Sequence, residues 1–136
     1  MDVATFQLST DAGNHGMRYE LGWSGDLSYP MMLARLGRIL RQRNYDVLVC
    51  WGFYPGLLGL VCSVLCRSSC KLIYQELTRP WYALHLEQSA ARRLFVSLCY
   101  RWWFKRFDLC VANGKSVEEE LVSYFGLARK KVQVIP

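Results

Sequence analysis

Three short segments of this sequence carry most of the side chains that could bind or react with a ligand, and each follows an apolar, strand-like run. They are Trp51, Gly52, Phe53 and Tyr54; then Glu76, Thr78 and Arg79; then Asn113, Gly114, Lys115 and Ser116. Ligands of parallel α/β sheets bind beyond the carboxyl ends of the strands, so these segments predict a binding edge. Glu76 is the candidate catalytic residue, because a carboxylate can exchange a proton with a reacting group.

Each candidate also has a structural interpretation that the sequence leaves open. Loop aromatics such as Phe53 and Tyr54 more often cap a hydrophobic core than stack on a ligand. A solvated carboxylate at the sheet edge would have the same sequence context as a catalytic Glu76. Asn113 and Ser116 would serve equally well to begin a helix.

Strand-like runs alternate with helical patterns along the whole chain, which is typical of parallel α/β folds. The predicted strands are Val3–Leu8, Met17–Leu21, Val47–Cys50, Lys71–Gln75, Asp108–Ala112 and Lys131–Ile135. The predicted helices begin at Pro30, at Pro55 and at Lys115 or Ser116, and the longest covers residues 87–107. The order predicts a single Rossmann-like domain, with all strands in one mostly parallel sheet and helices on both of its faces.

Two helix ends have recognisable signals. Ser116 and Glu119 have the spacing of a capping box, which predicts that Ser116 caps the last helix. Gly126 is expected to end that helix, because glycine adopts the left-handed conformation found just after helix ends.

Residues 47–66 are uncharged and numerous enough to span a bilayer as a helix. Gly52, Pro55, Gly56 and Gly59 fit a strand, a loop and a short helix better than one continuous helix. We therefore predict a strand from Val47, followed by a loop and a helix that ends near Cys66.

The six cysteines are Cys50, Cys62, Cys66, Cys70, Cys99 and Cys110. No secretory leader pattern follows Met1, which favours a reducing cytoplasmic location over a disulfide framework. Cys62, Cys66 and Cys70 recur every four residues, unlike the paired spacing of zinc sites, so we interpret them as small buried apolar residues and expect no metal.

The formal net charge of +6 is concentrated in residues 61–115, which contain nine Lys or Arg residues and three Asp or Glu residues. Part of this excess lies on the predicted helix 87–107, where basic and aromatic side chains are interleaved. Its candidate membrane-surface residues are Arg92, Arg93, Arg101, Trp103, Lys105 and Arg106. Such a pattern suits the anionic inner face of a membrane. The alternative is an ordinary amphipathic helix, with Trp102 packed on the sheet.

No nucleic-acid-binding signature accompanies the charge, so we expect no nucleic-acid partner.

Three motifs, taken in order, resemble the N-terminal domain of GT-B glycosyltransferases of the family 4 type. They are YDVLVCWG at residues 45–52, FDLCVANGKS at residues 107–116, and KVQVIP at residues 131–136. The family patterns are PDV, a hydrophobic residue and H-x-H/W-G; an A-D strand followed by a helix; and K-x-x-V-I-P-N-G. The resemblance covers roughly residues 28–136, and its order and spacing carry more weight than any one motif.

The resemblance implies transfer of a sugar from a nucleotide-sugar donor to an acceptor hydroxyl, in the synthesis of glycans, lipid-linked sugars or polysaccharides. The N-terminal domain would shape the acceptor side, and a second domain would hold the donor. Many relatives place an acidic residue or a histidine near Glu76, but this chain has Leu77 where a histidine often occurs.

Compared with the family, residues 1–136 are expected to lack the first strand-loop-helix unit and the C-terminal donor-binding domain. That domain would be a partner in the same chain or in a separate chain, and residues 1–136 alone would be inactive. No cofactor is expected beyond the nucleotide-sugar donor of the complete enzyme. The alternative is a non-catalytic accessory module that pairs with a separate donor-binding subunit.

Overall fold

A computed structural model describes residues 6–9, 29–42, 45–86 and 88–135. Within them, one sheet contains strands in the order β1-β2-β3-β4-β5. The strands are β1 Phe6–Ser9, β2 Val47–Trp51, β3 Lys71–Glu76, β4 Leu109–Ala112 and β5 Val132–Val134. The last four strands pair in parallel, which confirms the α/β class and the mostly parallel sheet.

The first strand runs opposite to the other four. β1 pairs antiparallel with β2, in a register that places Phe6 opposite Cys50 and Ser9 opposite Val47. The sheet is therefore mostly parallel, as predicted, with one antiparallel strand at its edge. An edge strand contributes only backbone donors and acceptors to one neighbour, and antiparallel edge strands on parallel sheets are common. The predicted strand Met17–Leu21 lies outside the described residues.

Helices connect the parallel strands. They are α1 Tyr29–Gln42, α2 Phe53–Cys66, α3 Pro80–Leu86, α4 Ala90–Leu98 and α5 Lys115–Glu119. α4 continues through a π-helical turn, Cys99–Trp103, and a 3-10 turn, Phe104–Arg106. α5 likewise continues as a π-helical turn, Glu120–Tyr124, and a 3-10 turn, Arg129–Lys131, precedes β5.

The uncharged segment 47–66 is a strand, a tight turn and a helix, as predicted. Gly52 makes the turn with φ 84°, a left-handed conformation that favours glycine. Pro55 lies in the first turn of α2, where its missing N–H group costs nothing. In the described part of the chain, no helix is long and apolar enough to cross a membrane.

The hydrophobic core lies against one face of the sheet. Leu48, Leu72, Tyr74 and Cys110 point to this face and are buried. Side chains of α1, α2, α5 and the helical turns that follow α4 and α5 complete the core; they include Leu36, Leu40, Leu58, Cys62, Phe104, Val117, Leu121 and Phe125.

Burial fits the interpretation of the cysteines as small apolar residues. Five of the six cysteines are buried, and Cys66 is half-buried. Cys62 and Cys66 belong to α2, whereas Cys70 lies beyond the end of this helix. Burial raises the pKa of the Cys62 and Cys110 thiols to about 12, so both stay protonated at neutral pH. Among the described residues, no group of three or more His, Cys, Asp or Glu side chains could hold a metal ion.

The predicted helix 87–107 differs from the prediction in where it begins and in which of its side chains face the core. The long helix begins only at Ala90, with the Ser89 side chain accepting a hydrogen bond from Arg92 N at 3.4 Å. Farther along, Tyr100 and Phe104 face the core, while Trp102 is 72% exposed. The interpretation of Trp102 as a core residue is therefore wrong. The π-helical turn, in which Phe104 N donates to Cys99 O, shifts the inward-facing positions relative to a regular helix.

The predicted capping box at Ser116 is also wrong. α5 begins at Lys115, one of the two predicted starts, but its N-cap is Gly114, two residues before Ser116, and Gly114 provides no side-chain hydrogen bond. Ser116 therefore lies inside the first turn and cannot cap it. Gly126 ends the helical segment as predicted, with φ 69° and a hydrogen bond from its N–H to Val122 O at 3.1 Å.

Candidate functional site

The ends of β2, β3 and β4 meet at one edge of the sheet and are tied together by hydrogen bonds. Gly52 N donates to Gln75 O at 2.9 Å, which fixes the turn after β2 against β3. Asn113 Nδ2, after β4, donates to Leu77 O at 3.1 Å. We call this edge, from Gly52 through Leu77–Arg79 to Asn113–Ser116, the carboxyl edge. The structure thus brings the three predicted segments together.

Glu76 lies at the base of the carboxyl edge and is only 2% exposed. Its Oε2 accepts hydrogen bonds from Tyr74 Oη and, at 2.5 Å, from Tyr100 Oη. Its Oε1 accepts from Leu77 N at 3.0 Å, Thr78 N at 3.2 Å and Thr78 Oγ1 at 3.3 Å. Both carboxyl oxygens are therefore occupied by groups of the protein. This geometry suits a residue that positions the loop Leu77–Arg79.

Burial has the larger of two opposing effects on the Glu76 carboxyl. Removal from water disfavours its charged form, whereas the hydroxyl groups of Tyr100 and Tyr74 and the two backbone N–H groups favour it. The net result is a raised pKa for Glu76. The same burial, together with the nearby carboxyl, raises the pKa of both tyrosines well above their usual value, so both remain hydrogen-bond donors.

Arg79, whose side chain is 57% exposed, is paired with a second buried acid. Its Nε and Nη2 donate to Glu120 Oε1 at 2.7 and 2.6 Å. Glu120 Oε2 also accepts from Trp81 N at 3.0 Å, at the start of α3. Because Glu120 lies in the π-helical turn after α5, this group fixes α3 and the end of the Leu77–Arg79 loop to that helix. The charge of Arg79 is largely balanced by Glu120.

The aromatic candidates divide between the core and the edge. Trp51 ends β2 and is half-buried, opposite Gln75 of β3. Phe53 packs on Tyr100 and Phe104, with ring centroids 5.4 and 5.5 Å apart, so it caps the core. Tyr54 lies farther out, where Arg92 hydrogen-bonds its hydroxyl and stands 5.7 Å from its ring centre. Arg92 therefore lies near the carboxyl edge.

Polar side chains remain exposed along this edge. They are the neutral side chains of Thr78, Asn113 and Ser116 and the cationic side chain of Lys115. Hydroxyl and amide groups both donate and accept hydrogen bonds, as do the hydroxyl groups of a saccharide. The edge therefore combines a rigid, hydrogen-bonded base with exposed groups suited to a polar, largely uncharged ligand.

A family model agrees with this architecture. The model for Glycosyltransferase Family 4 matches residues 8–136, nearly the whole chain. The chain belongs to this family. A search of curated proteins finds no match to it. Membership supports a glycosyltransferase-type function, and the fold is that expected for the N-terminal domain of a GT-B enzyme.

Sequence reasoning missed three residues that organise this glycosyltransferase domain. Tyr74 and Tyr100 lie 26 positions apart and meet at Glu76, with their hydroxyl oxygens 3.1 Å apart. Glu120 binds Arg79 across 41 positions. A tyrosine inside an apolar strand is one available signal, because a buried hydroxyl requires a partner. The identity of the partner depends on tertiary contacts and has no local signature.

Proposed function

We propose that this domain forms the acceptor side of a sugar transferase whose nucleotide-sugar donor is held by a companion domain. The observation that carries the proposal is the carboxyl edge, where Thr78, Asn113 and Ser116 expose neutral hydrogen-bonding groups on a fixed base. Family membership supplies the reaction class. We further propose that the two domains bind acceptor and donor separately, and that the acceptor binds at the carboxyl edge.

The carboxyl edge has two cations, Arg79 and Lys115, for a ligand that carries phosphates. A departing nucleotide phosphate builds up negative charge, which basic side chains or helix N-termini must stabilise. Here the guanidinium of Arg79 is already paired with Glu120, and Lys115 is the other exposed cation of the edge. We assign the donor phosphates to the companion domain, which would supply further cations. Residues 1–136 alone should then show no sugar transfer.

Glu76 serves the site indirectly in this proposal. Its two oxygens hold the loop that presents Thr78, and they face no open space. A base that takes the acceptor proton must reach the reacting hydroxyl within hydrogen-bonding distance. Glu76 is thus proposed as a positioning residue of the acceptor site.

The proposal can be tested by nuclear magnetic resonance on the isotope-labelled chain. Methyl glycosides of glucose, galactose, mannose and N-acetylglucosamine would be titrated, in parallel with UDP and GDP. We expect at least one glycoside to shift the amide signals of Thr78, Asn113 and Ser116, with a weak dissociation constant of about 1 mM or above. The nucleotides should leave these signals unchanged.

A matched pair of variants separates a specific site from general surface effects. Asn113→Ala removes an exposed amide at the edge, whereas Ser123→Ala removes an exposed polar group from the helical segment after α5. Asn113→Ala should abolish the glycoside-induced shifts and Ser123→Ala should preserve them. Nucleotide binding at the carboxyl edge, with no response to any glycoside, would overturn the assignment of this edge to the acceptor.

A further inference from the structure

One surface of the domain exposes more apolar area than a solvent-facing helix normally does. Leu94, Leu98 and Trp102 form an outward stripe on α4 and its π-helical continuation, and are 62, 46 and 72% exposed. Leu65, at the end of α2, is 61% exposed and lines one groove together with Trp102. Contiguous apolar surface of this kind marks an interaction site more often than chance exposure does.

A groove runs between these two helices. It has a volume of about 460 Å³ and is lined by the last turns of α2 together with Trp102, Trp103 and Arg106. The inward side of the same helical segment is already filled by Tyr100 and Phe104. The outward apolar residues therefore do not contribute to the core of the domain.

Cations surround this apolar surface. Arg101, Lys105 and Arg106 are exposed on the same segment as Trp102, and Arg67 follows α2 directly. No acidic residue occurs between positions 88 and 107, which contain five Lys or Arg residues. The surface thus combines apolar side chains, tryptophan and positive charge, and it lacks acidic groups that would repel an anionic partner.

We propose that this surface, defined by Leu65, Leu94, Leu98, Trp102, Trp103, Arg101, Lys105 and Arg106, docks on an anionic lipid surface. Tryptophan rings prefer the boundary between lipid headgroups and acyl chains. Long Arg and Lys side chains reach the phosphates while their stems cover apolar neighbours. Each cation near an anionic bilayer strengthens binding by about 1 kcal/mol.

Charge also decides between lipid and a second copy of the chain. Two such surfaces facing each other would bring Arg101, Lys105 and Arg106 of one molecule against the same cations of the other. Like charges opposed in this way disfavour association. A bilayer containing anionic lipid supplies both the missing negative charge and an apolar layer.

The groove of the proposed surface lies away from the carboxyl edge, and only Leu94 approaches the end of α4 where Arg92 contacts Tyr54. Tyr54 stands at the start of α2 and Leu65 at its end, eleven residues later, which corresponds to about 16 Å along the helix axis. Docking would therefore leave the carboxyl edge outside the lipid and open to a companion domain. Arg92, which contacts Tyr54, belongs to that other end and is not part of the docking surface.

Vesicle flotation tests the proposal with the full chain. Vesicles of pure phosphatidylcholine would be compared with vesicles of equal parts phosphatidylcholine and phosphatidylglycerol, at low and at high salt. We expect flotation with the anionic vesicles at low salt and its loss at high salt. The Arg101→Gln/Lys105→Gln/Arg106→Gln variant should weaken binding by about 100-fold, and Leu65→Ala/Leu98→Ala by about 10-fold.

Each variant has a control with the same number of substitutions elsewhere on the surface. Arg35→Gln/Arg38→Gln/Lys130→Gln removes three exposed cations, and Met31→Ala/Ile135→Ala removes two exposed apolar side chains. Both controls should float like the unmodified chain, and circular dichroism should show that all variants fold. Equal loss in test and control variants would overturn the proposal. So would self-association of the unmodified chain, seen by light scattering and abolished by Leu65→Ala/Leu98→Ala, with no flotation.

Discussion

At the scale of single residues, the chemistry of Glu76 depends on what surrounds it. A carboxyl at a strand end could be a solvated group or a reactive one, and its sequence context is the same in both cases. In the structure it is buried and accepts hydrogen bonds from two tyrosine hydroxyls and from the loop that follows. Its location at the edge was predictable from the sequence. Its partner Tyr100 was not, because that contact exists only after α4 has packed on the sheet.

The raised pKa of Glu76 makes a specific prediction about stability and pH. Below the ordinary value of 4.5, both the folded and unfolded chains carry this proton, and its contribution to stability is complete. As pH rises through the raised folded pKa, the unfolded chain releases the proton first and the contribution is lost. The unfolding free energy of the unmodified chain should therefore fall, relative to that of Glu76→Gln, as pH rises above 4.5. Urea unfolding at a series of pH values measures this difference.

Glu119→Gln provides the control, because Glu119 is an exposed carboxyl on α5. Its unfolding free energy should stay within about 0.5 kcal/mol of that of the unmodified chain. Parallel profiles for Glu76→Gln and the unmodified chain would contradict the raised pKa.

At the scale of elements, α2 packs tightly against β3 at Gly56. A methyl group at this position would lie 2.9 Å from two atoms of the Tyr74 ring and 3.3 Å from the Phe104 ring. Only a glycine allows α2 to lie this close to β3. Helix α2 and its starting turn were predicted from Gly52, Pro55 and Gly56, but the closeness of packing depends on which ring lies opposite.

Gly56→Ala should lower the unfolding free energy by about 1–3 kcal/mol, because the added methyl group overpacks a core that contains large rings. The gain in helix propensity from alanine, about 1 kcal/mol, offsets only part of this cost. Gly114→Ala is the matched control, since nothing lies within 4 Å of a methyl group there. Its φ of 176° is extended backbone that alanine adopts freely. Equal unfolding free energies for the two variants, measured in urea, would show that α2 can move away from β3 without cost.

At the scale of the whole molecule, the order of strands and helices was readable from the sequence, but the outward face of α4 was not. Leu94, Leu98 and Trp102 follow the helical period and so resemble a core stripe, yet they are exposed. The π-helical turn brings Tyr100 and Phe104 inward instead. Periodicity identifies a stripe and cannot tell which of two apolar stripes meets the sheet. The direction of β1 was equally unreadable, because an edge strand can pair in either direction.

Phe104 contacts helix α2, strand β3 and the segment before β4. Its ring lies 4.7 Å from Tyr74 of β3, 5.5 Å from Phe53 of α2 and 5.3 Å from Phe107 before β4, measured between centroids. Phe104→Ala should lower the unfolding free energy by about 3–5 kcal/mol, since it leaves a cavity among rings that cannot collapse into it. Phe95→Ala, on the exposed side of the same helical segment, should change it by less than about 0.5 kcal/mol. Urea denaturation followed by circular dichroism measures both. We expect a large loss of unfolding free energy because the Phe104 ring fills the core between the helices and the sheet. A loss below about 1 kcal/mol for Phe104→Ala would contradict this role of the ring.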